Sequence, residues 1–178
     1  MNHSEFCAWS LVRPDEFWAE QAKLIHWQEP FTEVCHVERL PFAHWFRGGR
    51  TNLCHNAVDR HLPGRAAQPA IQFFSTETGE SRTLTYAELH AEVQRMAATL
   101  RGFGLNRGDR VILYLPMVPE AAIAMLACAR LGLVHSAVFA GFAPPSLASR
   151  IDDAGARTII TCDAGKRGGK LVPLKRLV

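Results

Sequence analysis

The stretch GDRVILYLPMVPEAAIAMLACARLGLVHSAVFAG, residues 108–141, decides the fold. Gly108-Asp109 turns the chain into an apolar strand, Val111 to Leu115. Pro119-Glu120 then opens a helix, because proline suits the first turn and a carboxylate suits the positive end of the helix dipole. That helix runs to Leu131 and ends at Gly132, and His135 to Phe139 forms the next strand before a turn at Gly141. Further on, Pro144-Pro145 starts a helix through Ile151, and Thr158 to Thr161 is a short third strand. Strand–helix–strand–helix–strand with short connections predicts an α/β fold: a mostly parallel sheet with flanking helices and ligand loops at the strands' C-terminal ends.

Upstream, Ile71 to Phe74 and Arg82 to Leu84 flank Thr76-Glu77-Thr78-Gly79-Glu80, the pattern of a β-hairpin with a glycine-containing loop. Thr85-Tyr86-Ala87-Glu88 is a capping box, and Leu89, Val93, Met96 and Leu100 share one face of the helix it opens, which Gly104 stops. The first 65 residues have little periodicity and read as an irregular helical N-terminal extension, with residues 66–178 as the α/β segment. Within the extension, Asp15 is expected to cap a short helix through Phe17, Trp18, Ala22 and Ile25, ended by Glu29-Pro30. Arg47-Gly48-Gly49-Arg50 reads as a turn before a second helical stretch, Asn52 to His61, stopped by Pro63-Gly64.

The chain has 178 residues, enough for one ordinary domain, and its 48% hydrophobic and 21% charged residues are globular in proportion. A net charge of +3 is too small to imply a nucleic-acid partner, so a basic site must be a local cluster. Cys7, Cys35, Cys54, Cys128 and Cys162 are odd in number and widely spaced, which suits a reducing compartment better than a disulfide framework. No basic segment followed by an apolar core opens the sequence, and the most apolar run, Ala121 to Val134, carries Arg130 and is shorter than a membrane span. The expectation is a cytoplasmic protein with neither nucleic acid nor membrane as a partner.

Among the motifs, Gly165-Lys166-Arg167-Gly168-Gly169-Lys170 is the sharpest: three cations and three glycines just after a strand. Glycines let backbone N–H groups and a guanidinium both approach an anion closely. A Walker A loop would need glycine at Ala164 and Ser or Thr at Leu171, so this is either another kind of phosphate site or a solvated basic turn. Phe139-Ala140-Gly141-Phe142, at a strand end, offers either a flat face for a base or ordinary core packing. Gly102 to Gly108 misses the dinucleotide-binding spacing by one residue and closes a helix instead of opening one. Cys35-His36 and Cys54-His55 lack zinc-finger spacing, so no metal site is expected. Cys128 reads as a buried small side chain, His135 as structural, and Asp152-Asp153 has no catalytic partner nearby. The sequence carries binding features without a recognisable catalytic set, and no catalytic residue is assigned.

Several segments carry a resemblance to a known family. Residues 50–60 (Arg50-Thr51-Asn52-Leu53-Cys54-His55-Asn56-Ala57-Val58-Asp59-Arg60), the Gly108-Asp109-Arg110-Val111 turn and Pro116-Met117-Val118-Pro119-Glu120-Ala121 resemble AMP-forming short-chain acyl-CoA synthetases. Leu126 to Arg130 and His135 to Phe142 do the same. Residues 16–22, 150–154 and 163–170 resemble the propionyl-CoA synthetase branch more than the acetyl-CoA synthetase branch. The similarity runs the length of the chain and corresponds to the N-terminal part of the family's longer sequence.

The resemblance implies the N-terminal domain of an adenylate-forming enzyme. Such enzymes make an acyl-adenylate from a carboxylate and ATP with Mg²⁺, release diphosphate, and pass the acyl group to the CoA thiol. It implies that Phe139 and Gly141 face the adenine of CoA and that Arg167, Gly168, Gly169 and Lys170 form the turn facing its 3′-phosphate. Ala140 stands where the family usually carries a second glycine, and its methyl is expected to crowd the nucleotide, so no cofactor is expected to bind this chain tightly. The ATP loop, the acyl pocket and the adenylating lysine are expected beyond Val178, leaving this chain without adenylation activity of its own. The reading is therefore an N-terminal fragment of a propionate–CoA ligase. Its alternatives are acetate as the substrate, a stand-alone CoA-nucleotide-binding module, or a non-functional truncated piece whose sheet edges lack partners.

Overall fold

The computed structural model describes residues 1–178, which fall into two compact units, Met1–Asn52 and Leu53–Val178. In the first unit, helix α1 (His3–Val12) is opened by a capping box: Asn2 Oδ1 accepts from the Glu5 N–H, and Glu5 accepts from the Asn2 N–H. Helix α2 (Pro14–Gln21) follows Arg13 directly and begins with proline. Asp15 therefore lies inside its first turn and not at the cap, and the helix tightens to a 3₁₀ turn at Ala22–Leu24. An antiparallel hairpin not foreseen from sequence follows, β1 (Glu33–Arg39) and β2 (Phe42–Arg47). Phe17 is buried with Phe6 and Trp9 edge-on to it at 4.9 and 5.0 Å, so an aromatic cluster does the work of a small core here.

The second unit opens with short helices α3 (Leu53–Ala57) and α4 (Leu62–Arg65), joined by a 3₁₀ turn at Asp59–His61. Pro63-Gly64 sits inside α4 and does not stop a helix there, because proline is tolerated in a first turn. Cys54 and Val58 are fully buried in this unit's core, so the two units divide after Asn52, earlier than the expected boundary near residue 65. Hairpin β3 (Pro69–Phe74) and β4 (Ser81–Thr85) runs into helix α5 (Tyr86–Gly102), where Thr85 and Glu88 complete the expected capping box. Leu89, Val93, Ala97 and Leu100 are the buried face of α5; Met96 packs against them but is only partly buried.

Strand β5 (Arg110–Tyr114), helix α6 (Pro119–Leu131), strand β6 (Val134–Ala137), helix α7 (Pro144–Ala154) and strand β7 (Thr158–Thr161) follow the expected alternation. The three strands form a parallel sheet in the order β6-β5-β7. Helices α6 and α7 both end at a left-handed glycine, Gly132 and Gly155. The central strand is buried on both faces. Val111 and Leu113 join the core beneath α5 and α6, while Ile112 and Tyr114 join a second cluster with Val138, Leu147 and Leu174. The chain closes with hairpin β8 (Gly165–Arg167) and β9 (Lys170–Val172) and a 3₁₀ turn at Leu174–Leu177.

One polar network ties the short helices to this core. Arg130, in the last turn of α6, donates from Nη2 to Asp59 Oδ1 at 2.5 Å and to Cys54 Sγ at 3.4 Å. His90 Nε2 lies 3.2 Å from the same Asp59 oxygen, and His55 Nδ1 lies 3.8 Å from the other. Asp59→Asn is expected to leave this half-buried guanidinium without its counter-charge and to cost about 2 kcal/mol of stability. A lowered denaturant midpoint with an unchanged slope is the readout.

Candidate functional site

The segments that follow β5, β6 and β7 wall one cavity of about 880 Å³ together with the β3–β4 loop: Pro116–Glu120, Phe139–Gly141, and residues 164–167 and 171–172 in and beside the β8–β9 hairpin. Strand β6 ends before Phe139, two residues earlier than the sequence pattern predicts, and Phe139 to Phe142 forms a turn closed by a Phe142 N–H to Phe139 carbonyl bond of 3.0 Å. Tyr114, fully buried at the end of β5, donates its hydroxyl to the Phe142 carbonyl at 2.9 Å and so ties this turn to the sheet. Phe139 is more than half exposed and lines the cavity.

The guanidinium of Arg167 lies over that ring, with Cζ 4.8 Å from the centroid. Gly141 lies tight against this pair: a Cβ there would sit 2.1 Å from Arg167 Nη1 and 2.6 Å from Phe139 Cε1, so a side chain would displace the flexible guanidinium and press on the ring. Phe139, Gly141 and Arg167, separated by up to 28 residues in sequence, are thus one contact group. Ala140 is half-buried, packs against the second core cluster and also lines the cavity.

The basic segment is a hairpin and not a loose loop. Arg167 and Lys170 pair across a two-residue turn, in which Gly168 and Gly169 have φ of +56° and +73°. Positive φ at both central positions defines the turn type that matches strand twist, which explains the paired glycines. Both turn N–H groups donate to one carboxylate: Gly168 to Glu77 Oε1 at 2.8 Å and Gly169 to Glu77 Oε2 at 3.0 Å. In the sequence Glu77 stands out only as part of the β3–β4 loop. The one available signal was an acid facing a basic turn 91 residues away, a distance that hides the pairing. Lys166, Arg167 and Lys170 are all exposed around this turn.

The other candidates lie apart from the cavity. Cys128 is fully buried, and burial pushes its thiol up to about 11, as expected of a packing residue. Cys54 is also buried, and its thiol is raised by that burial against the opposing pull of Arg130. His135 is the second residue of β6, and Asp152-Asp153 belongs to α7. No three His, Cys, Asp or Glu side chains gather as a metal site would require, and no helix is long and apolar enough to cross a membrane.

The comparisons agree with this architecture. Residues 58–176 match the family model for AMP-binding enzymes, and residues 3–57 match that for the acetyl-coenzyme A synthetase N-terminus. The chain belongs to the AMP-binding enzyme family. It is 52% identical over all 178 residues to a propionate–CoA ligase of Escherichia coli, spanning 28% of that protein. It is 51% identical over 176 residues, 97% of its length, to an acetyl-coenzyme A synthetase of Methylobacterium radiotolerans, spanning 27% of that one. The structure of an acetoacetyl-CoA synthetase from Streptomyces lividans superposes with a TM-score of 0.91 at 30% identity, covering 99% of this chain and 27% of that one. The chain thus spans less than a third of the length of these relatives, and it carries an α/β part of the AMP-binding enzyme fold.

The Glu77 carboxyl is held below its ordinary range, first by the Gly169 N–H and then by that of Gly168. Because its pKa is lowered in the folded state, the contact is complete above the ordinary carboxylate range and is lost as pH falls through the lowered value. A pH titration followed by NMR should show the Gly168 and Gly169 amides shifting together at a midpoint below that of an unpaired glutamate. Glu77→Gln should abolish the transition.

Proposed function

We propose that this chain carries part of the CoA nucleotide site of an AMP-forming propionate–CoA ligase. In that reaction the propionate carboxylate displaces diphosphate from ATP to give propionyl-adenylate. The CoA thiol then attacks the acyl carbon and releases AMP, giving propionyl-CoA. The observation that carries the reading is the meeting of Phe139, Gly141 and Arg167 at the edge of one cavity, beside the Gly168–Gly169 turn. A flat aromatic face next to a turn with basic side chains and N–H groups that hold a carboxylate is suited to an adenine carrying a phosphate. Identity of 52% along the whole chain to a propionate–CoA ligase supports the same assignment.

In this reading Phe139 and Gly141 face the base, while Arg167, Gly168, Gly169 and Lys170 face the 3′-phosphate. Arg167 must then swing from the Phe139 ring for the base to stack there. ATP with Mg²⁺ and the carboxylate, the family's other substrates, are assigned to groups outside this chain, and the cytoplasm is the proposed setting. Acetate is the second reading of the acyl substrate, favoured by acetyl-coenzyme A synthetases of nearly equal identity. A stand-alone CoA-nucleotide-binding module is also supported, because every site residue lies in the Leu53–Val178 unit, which has two core clusters of its own.

Titration calorimetry tests the site. CoA should bind more tightly than dephospho-CoA, and Arg167→Ala should weaken CoA about tenfold, the loss of one charge-assisted contact, while leaving dephospho-CoA little changed. Equal weak binding of both ligands to both proteins would overturn the assignment. The 178-residue chain alone should give no propionate-dependent exchange of label between diphosphate and ATP, and measurable exchange would place adenylating groups within it.

A further inference from the structure

The anion position of the Gly168–Gly169 turn is held by the chain itself. Two adjacent N–H groups at positive φ make a concavity that takes an anion, and the two oxygens of Glu77 accept one bond from each. We propose that Glu77 is an internal stand-in for a phosphate group: it occupies this turn in the free protein and is displaced when a ligand places a phosphate there. The inference rests on the CoA-nucleotide reading of the site, and it adds a residue that sets how strongly the site favours a phosphorylated ligand.

Three observations favour a stand-in over a scaffold. The β3–β4 loop closes on its own bonds, Ser75 N–H to the Glu80 carbonyl and Gly79 N–H to the Ser75 carbonyl, each 2.8 Å, and Thr78 N–H to Ser75 Oγ at 3.1 Å. The β8–β9 turn is likewise fixed by its ladder and its two glycines, so neither element needs the contact to form. Glu77 is also exposed, so an incoming anion reaches the turn without any rearrangement of the core. A phosphate offers the same pair of acceptor oxygens with more charge, against Lys166, Arg167 and Lys170 around the turn.

Displacing Glu77 weakens only ligands that need the turn. Glu77→Gln in the 178-residue chain should therefore bind CoA roughly threefold to tenfold more tightly, the scale of one exposed charge-assisted contact released, and leave dephospho-CoA unchanged. Inorganic phosphate should shift the Gly168 and Gly169 amide resonances at lower concentration in Glu77→Gln than in the unmodified chain. Glu77→Ala, which removes the acceptor altogether, should behave alike, and the amide spectra report that both variants are folded. If Glu77→Gln binds CoA equally or more weakly while Arg167→Ala still weakens CoA, the site stands and the stand-in is overturned. If Arg167→Ala has no effect on CoA, or CoA does not bind, the nucleotide reading fails and the phosphate titration decides. A lower phosphate midpoint in Glu77→Gln then upholds anion competition at the turn, and equal midpoints overturn it.

Discussion

Burial of β5 on both faces is the constraint from which the second unit is built. A five-residue strand with Val111 and Leu113 on one side and Ile112 and Tyr114 on the other demands two separate covers. Helices α5 and α6 supply one, and α7 with the segment around Leu174 supplies the other. Because β6 and β7 flank β5 in parallel, their C-terminal loops emerge on the same edge, and that edge is where the cavity forms. The position of the site thus follows from packing before any functional side chain is considered.

Tyr114 carries that packing into the site. Its ring fills the second core cluster, and its hydroxyl holds the Phe142 carbonyl, which fixes the turn presenting Phe139 and Gly141. The three site glycines are needed for different reasons. At Gly141 a side chain would collide with Arg167 and Phe139, whereas Gly168 and Gly169 have open space around them and are fixed by their left-handed backbone. Alanine at 141 would therefore act by pushing Arg167 away, and alanine in the β8–β9 turn by straining it.

The site's electrostatics are settled within the chain. Glu77 satisfies the donors of the turn, and Arg167 rests on an aromatic face, so the free protein exposes neither a bare anion hole nor an unstacked ring. Asp59 plays a comparable part deeper in the same unit, where one carboxylate gathers Arg130, His90 and His55 beside the buried Cys54. The first of these arrangements is exposed and exchangeable, and the second is half-buried and structural. Solvent access separates the two roles, because an exposed charged contact costs little to break and a desolvated ion pair costs much more.

The sequence by itself determined the elements whose ends are written in local chemistry. Pro119 and Gly132 bound α6, Thr85 and Glu88 open α5, and the alternation of strands and helices after Gly108 implied the parallel sheet. It also drew attention to Phe139, Gly141 and the basic glycine turn, while leaving core packing and a solvated turn open as their plainer readings. The β1–β2 hairpin escaped notice because its strands lack a clean polar–apolar alternation, most of their residues being exposed or half-exposed. The stacking of Arg167 on Phe139, and the carboxylate of Glu77 in a turn 91 residues distant, were decided only by tertiary structure. Neither contact leaves a periodic or local trace: each depends on which loops the sheet brings to one edge, and that is fixed by long-range packing on β5.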